Sequence, residues 1–238
     1  MRGYDGNLGC ENASEQSIFK IADLNRKEEM LQRAQNLAPE QRLPFDKIIG
    51  YAKELRKYIN GGGPKPKAPL IIVHGGAGSG KSELIKVASF WFEFLLTTND
   101  ERDVNNPFVI RCAQTGMAAH NIDGLTVCSS FKIWFKNSHV GLSDNERDKF
   151  QRMLTHLQLV IIDEMSMIKS DQLYQIDARL QEYKSNPNFF GGVAVLLVGD
   201  LMQLQPVMGK WIFDRPRDDS WKNNFDGTIS GAFSLHMF

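Results

Sequence analysis

Residues 75–82 read Gly-Gly-Ala-Gly-Ser-Gly-Lys-Ser, which fits the G-x-x-x-x-G-K-[ST] pattern at Gly75, Gly80, Lys81 and Ser82. Glycines at this density let backbone N–H groups turn inward around phosphate oxygens, and the helix that follows such a loop adds partial positive charge at its first turn. On this pattern Gly75, Gly76, Ala77, Gly78, Ser79 and Gly80 cradle the phosphates of a nucleotide. Lys81 reaches the β- and γ-phosphates, and Ser82 holds Mg²⁺. The chemistry needs a strand before the loop and a helix after it. Here the apolar run Leu70 to Val73 precedes the loop, and Leu84, Ile85, Val87 and Ala88 follow at helical spacing.

A second chemical feature stands about 80 residues further on. The run Gln158-Leu-Val-Ile-Ile-Asp163-Glu164 is an apolar strand that delivers two carboxylates at its C-terminal end, where ligands bind in open α/β sheets. Asp163 suits Mg²⁺ by way of a water, and Glu164 suits the orientation and deprotonation of an attacking water. Alone, such a pair reads as a solvated strand end; joined to the phosphate loop, it points to hydrolysis. A third apolar run, Val193 to Val198, ends in Gly199-Asp200-Leu201-Met202-Gln203. The Gln203 amide could report a γ-phosphate through an uncharged donor, or it could simply be an exposed residue after a Gly-Asp turn.

These groups need a scaffold that brings strand ends together. With 238 residues, 42% hydrophobic and 24% charged, the chain has the composition of a soluble globular domain and enough length to bury a core without disulfide or metal staples. Its apolar runs fall far short of the ~20 residues that cross a bilayer, so no membrane partner is expected. Twenty-eight basic and 28 acidic residues cancel, so any nucleic-acid contact must be local. Cys10, Cys112 and Cys128 form no Cys-x-x-Cys pair and read as free thiols of a reducing compartment. The N-terminus carries no secretory or organelle address, and the chain is expected inside the cell.

The stretch Asn60 to Pro69 cannot continue a helix and divides the chain. Before it, Glu40 to Ile59 places Phe45, Ile48, Ile49, Ala52, Leu55 and Ile59 on one helical face. After it, apolar runs at Leu70 to His74, Phe108 to Cys112, Leu157 to Asp163 and Val193 to Gly199 alternate with helical segments, notably Lys81 to about Leu96 and Ser170 to Lys184. Nearly continuous apolar strands are buried on both faces, which predicts an α/β fold with a mainly parallel sheet flanked by helices and preceded by a helical segment. Trp211 to Phe238 shows no clear period and reads as irregular or partly extended.

These segments, in this order, resemble the first RecA-like motor domain of a superfamily 1B DNA helicase of the Pif-type family and its RecD-like relatives. Leu-Val-Ile-Ile-Asp-Glu-Met-Ser-Met-Ile resembles that family's Val-Ile-Asp-Glu-Ile-Ser-Met, and Val-Gly-Asp-Leu-Met-Gln-Leu-Gln-Pro-Val its Gly-Asp-x-x-Gln-Leu-Pro-Pro-Val. Cys112-Ala-Gln-Thr-Gly-Met-Ala-Ala119 resembles Thr-Ala-Pro-Thr-Gly-x-Ala-Ala, which implies single-stranded DNA contact through Thr115 and Gly116. Gly124-Leu-Thr-Val-Cys-Ser-Ser-Phe-Lys-Ile resembles Gly-x-Thr-x-His-Ser-Phe-Phe-Gly-Ile, which implies further contact near Thr126, Ser129 and Phe131; for Phe131, Ile133 and Trp134 a place in the core is the competing reading. Leu37 to Asp46 resembles the family's entry helix, whose glutamine, here Gln41, is implied to read the adenine edge.

The departures are Gln114 for a proline, Cys128 for a histidine and Gln205 for the first of two prolines. The resemblance implies a RecA-like phosphate-loop NTPase, with residues 1–36 an extension, 37–210 the ATP-binding motor domain, and 211–238 a segment leading to a second motor domain that this chain lacks. It implies ATP and Mg²⁺ as cofactors and DNA unwinding with 5′-to-3′ movement, with Lys81, Asp163, Glu164 and Gln203 as the hydrolytic residues. The compartment would be the nucleus or mitochondrion of a eukaryote, or the cytoplasm of a bacterium or virus. A silent nucleotide- and DNA-binding module and a phosphate-loop kinase are the alternatives; the Asp-Glu pair and Gln203 oppose the kinase.

Overall fold

The computed structural model describes residues 26–97, 106–133, 141–204, 206, 210–213 and 234–237. Expectations for residues 1–25, including Cys10, and for Trp134, Gln205 and residues 214–233 lie outside the described residues.

Alternation within each apolar run builds the sheet. Strands β1 (Leu70–His74), β2 (Val109–Ala113), β3 (Leu125–Thr126), β4 (Leu159–Asp163), β5 (Ala194–Gly199) and β6 (Ser234–Met237) lie in the order β3-β2-β4-β5-β1-β6. Every described pairing is parallel, with Ala113 opposite Asp163, Ile162 opposite Leu197 and His74 opposite Gly199. Because successive side chains face opposite ways, each strand feeds two cores. Ile71, Val73, Val109, Leu159, Ile161, Leu196 and Val198 join the core on one face, and Ile72, Ile110, Val160, Ile162, Val195 and Leu197 join the other. Both faces are therefore covered, as the apolar runs predict.

Helices supply the covers. On the first face lie α1 (Lys27–Gln35), α2 (Pro39–Ile59) and α3 (Lys81–Leu96), with the short α4 (Gly116–Asn121). On the second lie α5 (Val127–Phe131), α6 (Asp144–Met153) and α7 (Ser170–Lys184). Pro39 opens α2, where its fixed φ and missing N–H cost nothing, and Phe45, Ile48, Ile49, Ala52 and Leu55 form the buried stripe. Arg33 of α1 clamps Glu83 in the first turn of α3, Nε to Oε1 at 2.6 Å and Nη2 to Oε2 at 2.5 Å. Residues just before the entry helix are thereby braced against the helix that follows the phosphate loop.

Within Trp211 to Phe238, read from sequence as irregular or partly extended, the extended part is its end. Ser234–Met237 is a parallel edge strand beside β1, with Ile71 opposite Ser234. Four residues of mixed polarity carry no period that marks a strand; the partner edge and packing on α2 supply what local sequence does not. His236 Nε2 stands 3.2 Å from Lys47 Nζ of α2, and burial, with that ammonium second, pulls the imidazole below its usual range. Cys112 and Cys128 are free, and burial pushes both thiols up.

Candidate functional site

The phosphate loop leaves the sheet at His74 and re-enters helix at Lys81, so its residues arch over the C-terminal end of β1. Gly75 N–H donates to the Gly199 carbonyl at 3.1 Å, pinning the start of the loop to the end of β5, and Ser79 N–H closes a turn on the Gly76 carbonyl at 3.3 Å. Gly80 has φ +80° and caps α3 in the left-handed region. A Cβ there would also stand 2.2 Å from Gln41 Nε2, so a side chain at this position would strain the backbone and displace the Gln41 amide. Lys81 Nζ donates to the Gly75 and Gly76 carbonyls, both at 2.7 Å, which folds the ammonium across the loop. The Ser79 hydroxyl is buried and has no hydrogen-bond partner among the described residues. A glycine-built cradle with an ammonium across it fits an anion with several oxygens.

Gln41, assigned by resemblance to adenine, holds the loop. Its Oε1 accepts from Ala38 N–H at 3.0 Å, and its Nε2 donates to the Ser79 carbonyl at 2.9 Å. An amide offers two donor hydrogens and two lone pairs, so one of each remains for a base edge. The residue therefore ties the entry of α2 to the loop and is itself buried.

Strand order brings the acidic pair alongside. Asp163 ends β4, one strand beyond β5, and is buried. Burial raises its carboxyl pKa, the Glu164 N–H at 2.9 Å pulls it back, the Glu164 carboxylate raises it, and the Lys81 charge lowers it; the net direction is upward. A cation beside Asp163 would favour its ionised form. Glu164 takes the left-handed backbone at φ 55° and ψ 41°, which turns the chain sharply off the strand. Its Oε2 accepts from Thr115 Oγ1 at 2.8 Å. Gly199 lets β5 run close beside this turn, since a Cβ there would lie 2.9 Å from Met165 N.

Gln203 follows β5 in a turn closed by its own N–H on the Asp200 carbonyl at 3.1 Å, and its side chain is exposed with Met202 and Leu204. Sequence reasoning missed the group that positions this turn. His74, the last residue of β1, accepts Leu201 N–H on Nδ1 at 3.1 Å, joining the start of the phosphate loop to the segment that carries Gln203. The sole sequence signal was a histidine directly before Gly75, and its partner lies 127 residues away.

Two of the implied DNA contacts are helix caps. Thr115 Oγ1 accepts Ala118 N–H at 3.2 Å, and Thr126 Oγ1 accepts Ser129 N–H at 3.2 Å while donating to Ser129 Oγ at 2.9 Å. Gly116 and Ser129 are exposed. Phe131 is a correction: it is fully buried in the second core, with its carbonyl accepting Arg179 Nε at 2.9 Å, so its ring presents no face to a DNA strand. At the end of a short helix that covers β2, the ring is worth more to the core than to the surface.

Among the described residues no three His, Cys, Asp or Glu side chains cluster as a ready metal cage. A divalent cation here could draw on Ser82 and Asp163, with phosphate oxygens and water completing its shell, which is how Mg²⁺ is commonly held. No helix among the described residues is long and apolar enough to cross a membrane.

A parallel sheet in this order, with the glycine loop after β1 and the acidic pair after β4, defines a RecA-like phosphate-loop domain. The model of the PIF1-like helicase family matches residues 36–215. The ATP-dependent DNA helicase Pif1 of Bdellovibrio bacteriovorus is 32% identical over 140 residues, covering 58% of this chain and 29% of that protein. The ATP-dependent DNA helicase PIF1 of Emericella nidulans is 28% identical over 146 residues, covering 59% and 18%. A crystal structure of a Bacteroides Pif1 helicase double mutant superposes with a TM-score of 0.51 at 25% identity, covering 84% of this chain and 41% of that one. The Pif1 helicase of Candida albicans shares the fold, with a TM-score of 0.50 at 23% identity over 85% of this chain and 40% of that one. The chain belongs to the PIF1-like helicase family. It spans less than a third of the length of these two curated relatives.

Proposed function

We propose that this chain is the nucleotide-binding lobe of an ATP-dependent DNA helicase that couples ATP hydrolysis to 5′-to-3′ movement on single-stranded DNA. The observation that carries the reading is the meeting, at one end of the sheet, of a glycine cradle crossed by Lys81 and a carboxylate pair from a strand about 80 residues away. The curated relatives are named ATP-dependent DNA helicases, which supports the same activity here.

Lys81 exchanges its two loop carbonyls for β- and γ-phosphate oxygens, and the Ser79 hydroxyl gains an acceptor. The Ser82 hydroxyl, and the Asp163 carboxylate by way of a water, would hold Mg²⁺, which when bound would neutralise charge developing on the phosphates. Glu164 takes a proton from the attacking water through its carboxylate. Gln203 donates an uncharged hydrogen bond to the γ-phosphate and, through the turn fixed by His74, relays its loss. Gln41 reads the adenine edge with its remaining N–H and lone pair. Thr115, Gly116, Thr126 and Ser129 contact the DNA backbone from the ends of β2 and β3.

The motor lobe is built on residues 37–210, takes α1 of the preceding segment into its first core and Ser234–Met237 of the following one into its sheet, and in this reading works against a second lobe. Such chemistry uses an arginine supplied across a cleft, worth about 10³–10⁵ in rate, and movement needs two DNA grips; both belong to that second lobe. A motor of this kind works where DNA is held, in the nucleus or mitochondrion of a eukaryote or the cytoplasm of a bacterium.

Isothermal titration of Mg·ATP into the chain and into Lys81→Ala tests the reading. Removing a charge-assisted donor at the phosphates weakens binding by about 10- to 100-fold. Equal affinity in the two proteins refutes the assignment of the loop.

A further inference from the structure

The hydrogen bond between Thr115 and Glu164 joins two residues that the proposed function uses for different partners. β2 and β4 are neighbours with Ala113 opposite Asp163, so Thr115, two residues past one strand end, meets Glu164, one residue past the other. Thr115 Oγ1 accepts Ala118 N–H and donates its single proton to Glu164 Oε2 at 2.8 Å. A hydroxyl has one proton to give. On the other side, the Glu164 backbone is fixed by its left-handed turn and by its N–H on Asp163 Oδ1. The side chain is therefore the part of Glu164 free to move, and Thr115 is what holds it. Thr115 is itself only half-buried and is followed by the exposed Gly116 and Met117.

We infer that Thr115 is a positioning residue for Glu164, and that a DNA phosphate oxygen and the Glu164 carboxylate compete for the same hydroxyl proton. This rests on the proposed function, in which Glu164 is the base and Thr115 touches the DNA backbone. When a strand takes the proton, the carboxylate is released to serve water beside the phosphates. When the strand leaves, Thr115 recaptures the carboxylate and hydrolysis slows. Stimulation by DNA is thus built into the first lobe as an exchange of one hydrogen bond, with no movement of the sheet.

Competition of this kind is reciprocal, so it is readable in DNA binding alone, without turnover. Fluorescence anisotropy with labelled oligo(dT) is measured on the full chain and on Glu164→Ala, Thr115→Val and the double variant. Freeing the hydroxyl in Glu164→Ala tightens oligo(dT) binding by about tenfold, the scale of one hydrogen bond to a charged group. In the Thr115→Val background the same substitution gives only the smaller gain from lost charge repulsion. Thr115→Ser, which keeps the hydroxyl, restores the full difference.

Thr115→Val also removes the cap of α4, so Glu164→Asp provides a version with Thr115 intact. It keeps the charge but withdraws the carboxylate by one methylene. If the proton is shared, its affinity follows Glu164→Ala; if charge alone matters, it follows the parent chain and the inference falls. An equal effect of Glu164→Ala in the parent and in the Thr115→Val background overturns it too. Failure of the parent chain to bind oligo(dT) overturns the DNA half of the proposed function and this inference with it.

Discussion

Gly80→Ala tests whether the phosphate loop is held by the contact with Gln41. The backbone at Gly80 lies at φ +80°, and forcing an L-residue into the left-handed region costs roughly 1–2 kcal/mol. The new methyl would also stand 2.2 Å from Gln41 Nε2, with the amide carbon at 3.4 Å, so the whole amide must leave. Its two hydrogen bonds, from Ala38 N–H and to the Ser79 carbonyl, are each worth about 1 kcal/mol. The sum is a loss of roughly 3–4 kcal/mol, read as a shift in the urea midpoint at unchanged slope. Gln41→Ala alone loses only the hydrogen-bond part, about 2 kcal/mol. In that background the steric conflict is gone, so adding Gly80→Ala costs only the backbone part, about 1–2 kcal/mol. The double variant is then less destabilised than Gly80→Ala and Gln41→Ala summed, by about 2 kcal/mol, the two hydrogen bonds being counted once. Additive losses would show that Gln41 and the loop do not touch in solution, and would remove the brace from which the site was built.

Phe131→Ala should cost about 3–5 kcal/mol in denaturant unfolding, as expected for an aromatic ring fully buried in the second core; a variant of parental stability with weakened oligo(dT) binding would return Phe131 to the DNA surface. Asp177 is buried and accepts Phe190 N–H and Gln181 Nε2, and burial raises its carboxyl to about 6. A carboxyl raised above its unfolded value stabilises the fold below about pH 4 and withdraws that contribution as pH rises through about 6, a change of roughly 2–3 kcal/mol. The thermal midpoint of Asp177→Asn should therefore fall less between pH 4.5 and 7 than that of the parent, and parallel profiles would refute the assignment. The lowered His236 acts in the same window with the opposite sign, but it is common to both proteins and cancels in the comparison.

The parts of the site that lie on one continuous segment were legible in the sequence. The strand Leu70–His74, the glycine loop and the helix Lys81–Leu96 follow one another without a break, and local periodicity with turn chemistry fixes each. The same holds for Leu159–Asp163 with Glu164 behind it. What sequence could not give is which strand end stands beside which. His74 meets Leu201, Gln41 meets Ser79, and Arg33 meets Glu83; each pair is created by packing between elements far apart in the chain, and neither partner carries a local mark of the other. Phe131 fails for a related reason, because a residue at the end of a five-residue helix is inside or outside according to what covers β2.

Thr115 shows how a correct location can hide a second role. A threonine followed by glycine at the end of an apolar strand reads as a cap or a backbone contact, and the structure gives it the cap, through Ala118 N–H. The cap uses a lone pair of the hydroxyl and leaves its proton undirected. Only the register of β2 against β4, which sets Ala113 opposite Asp163, turns that proton toward Glu164. Had the pairing slipped by two residues, the strands would have kept the same faces and the same cores, while the threonine and the carboxylate would have stood about 7 Å further apart along the strand direction. Burial patterns tolerate such a slip, and the hydrogen bond does not. The link between the hydrolytic carboxylate and the surface proposed for DNA is therefore a property of register, fixed by the strand ends and invisible to hydrophobic patterning.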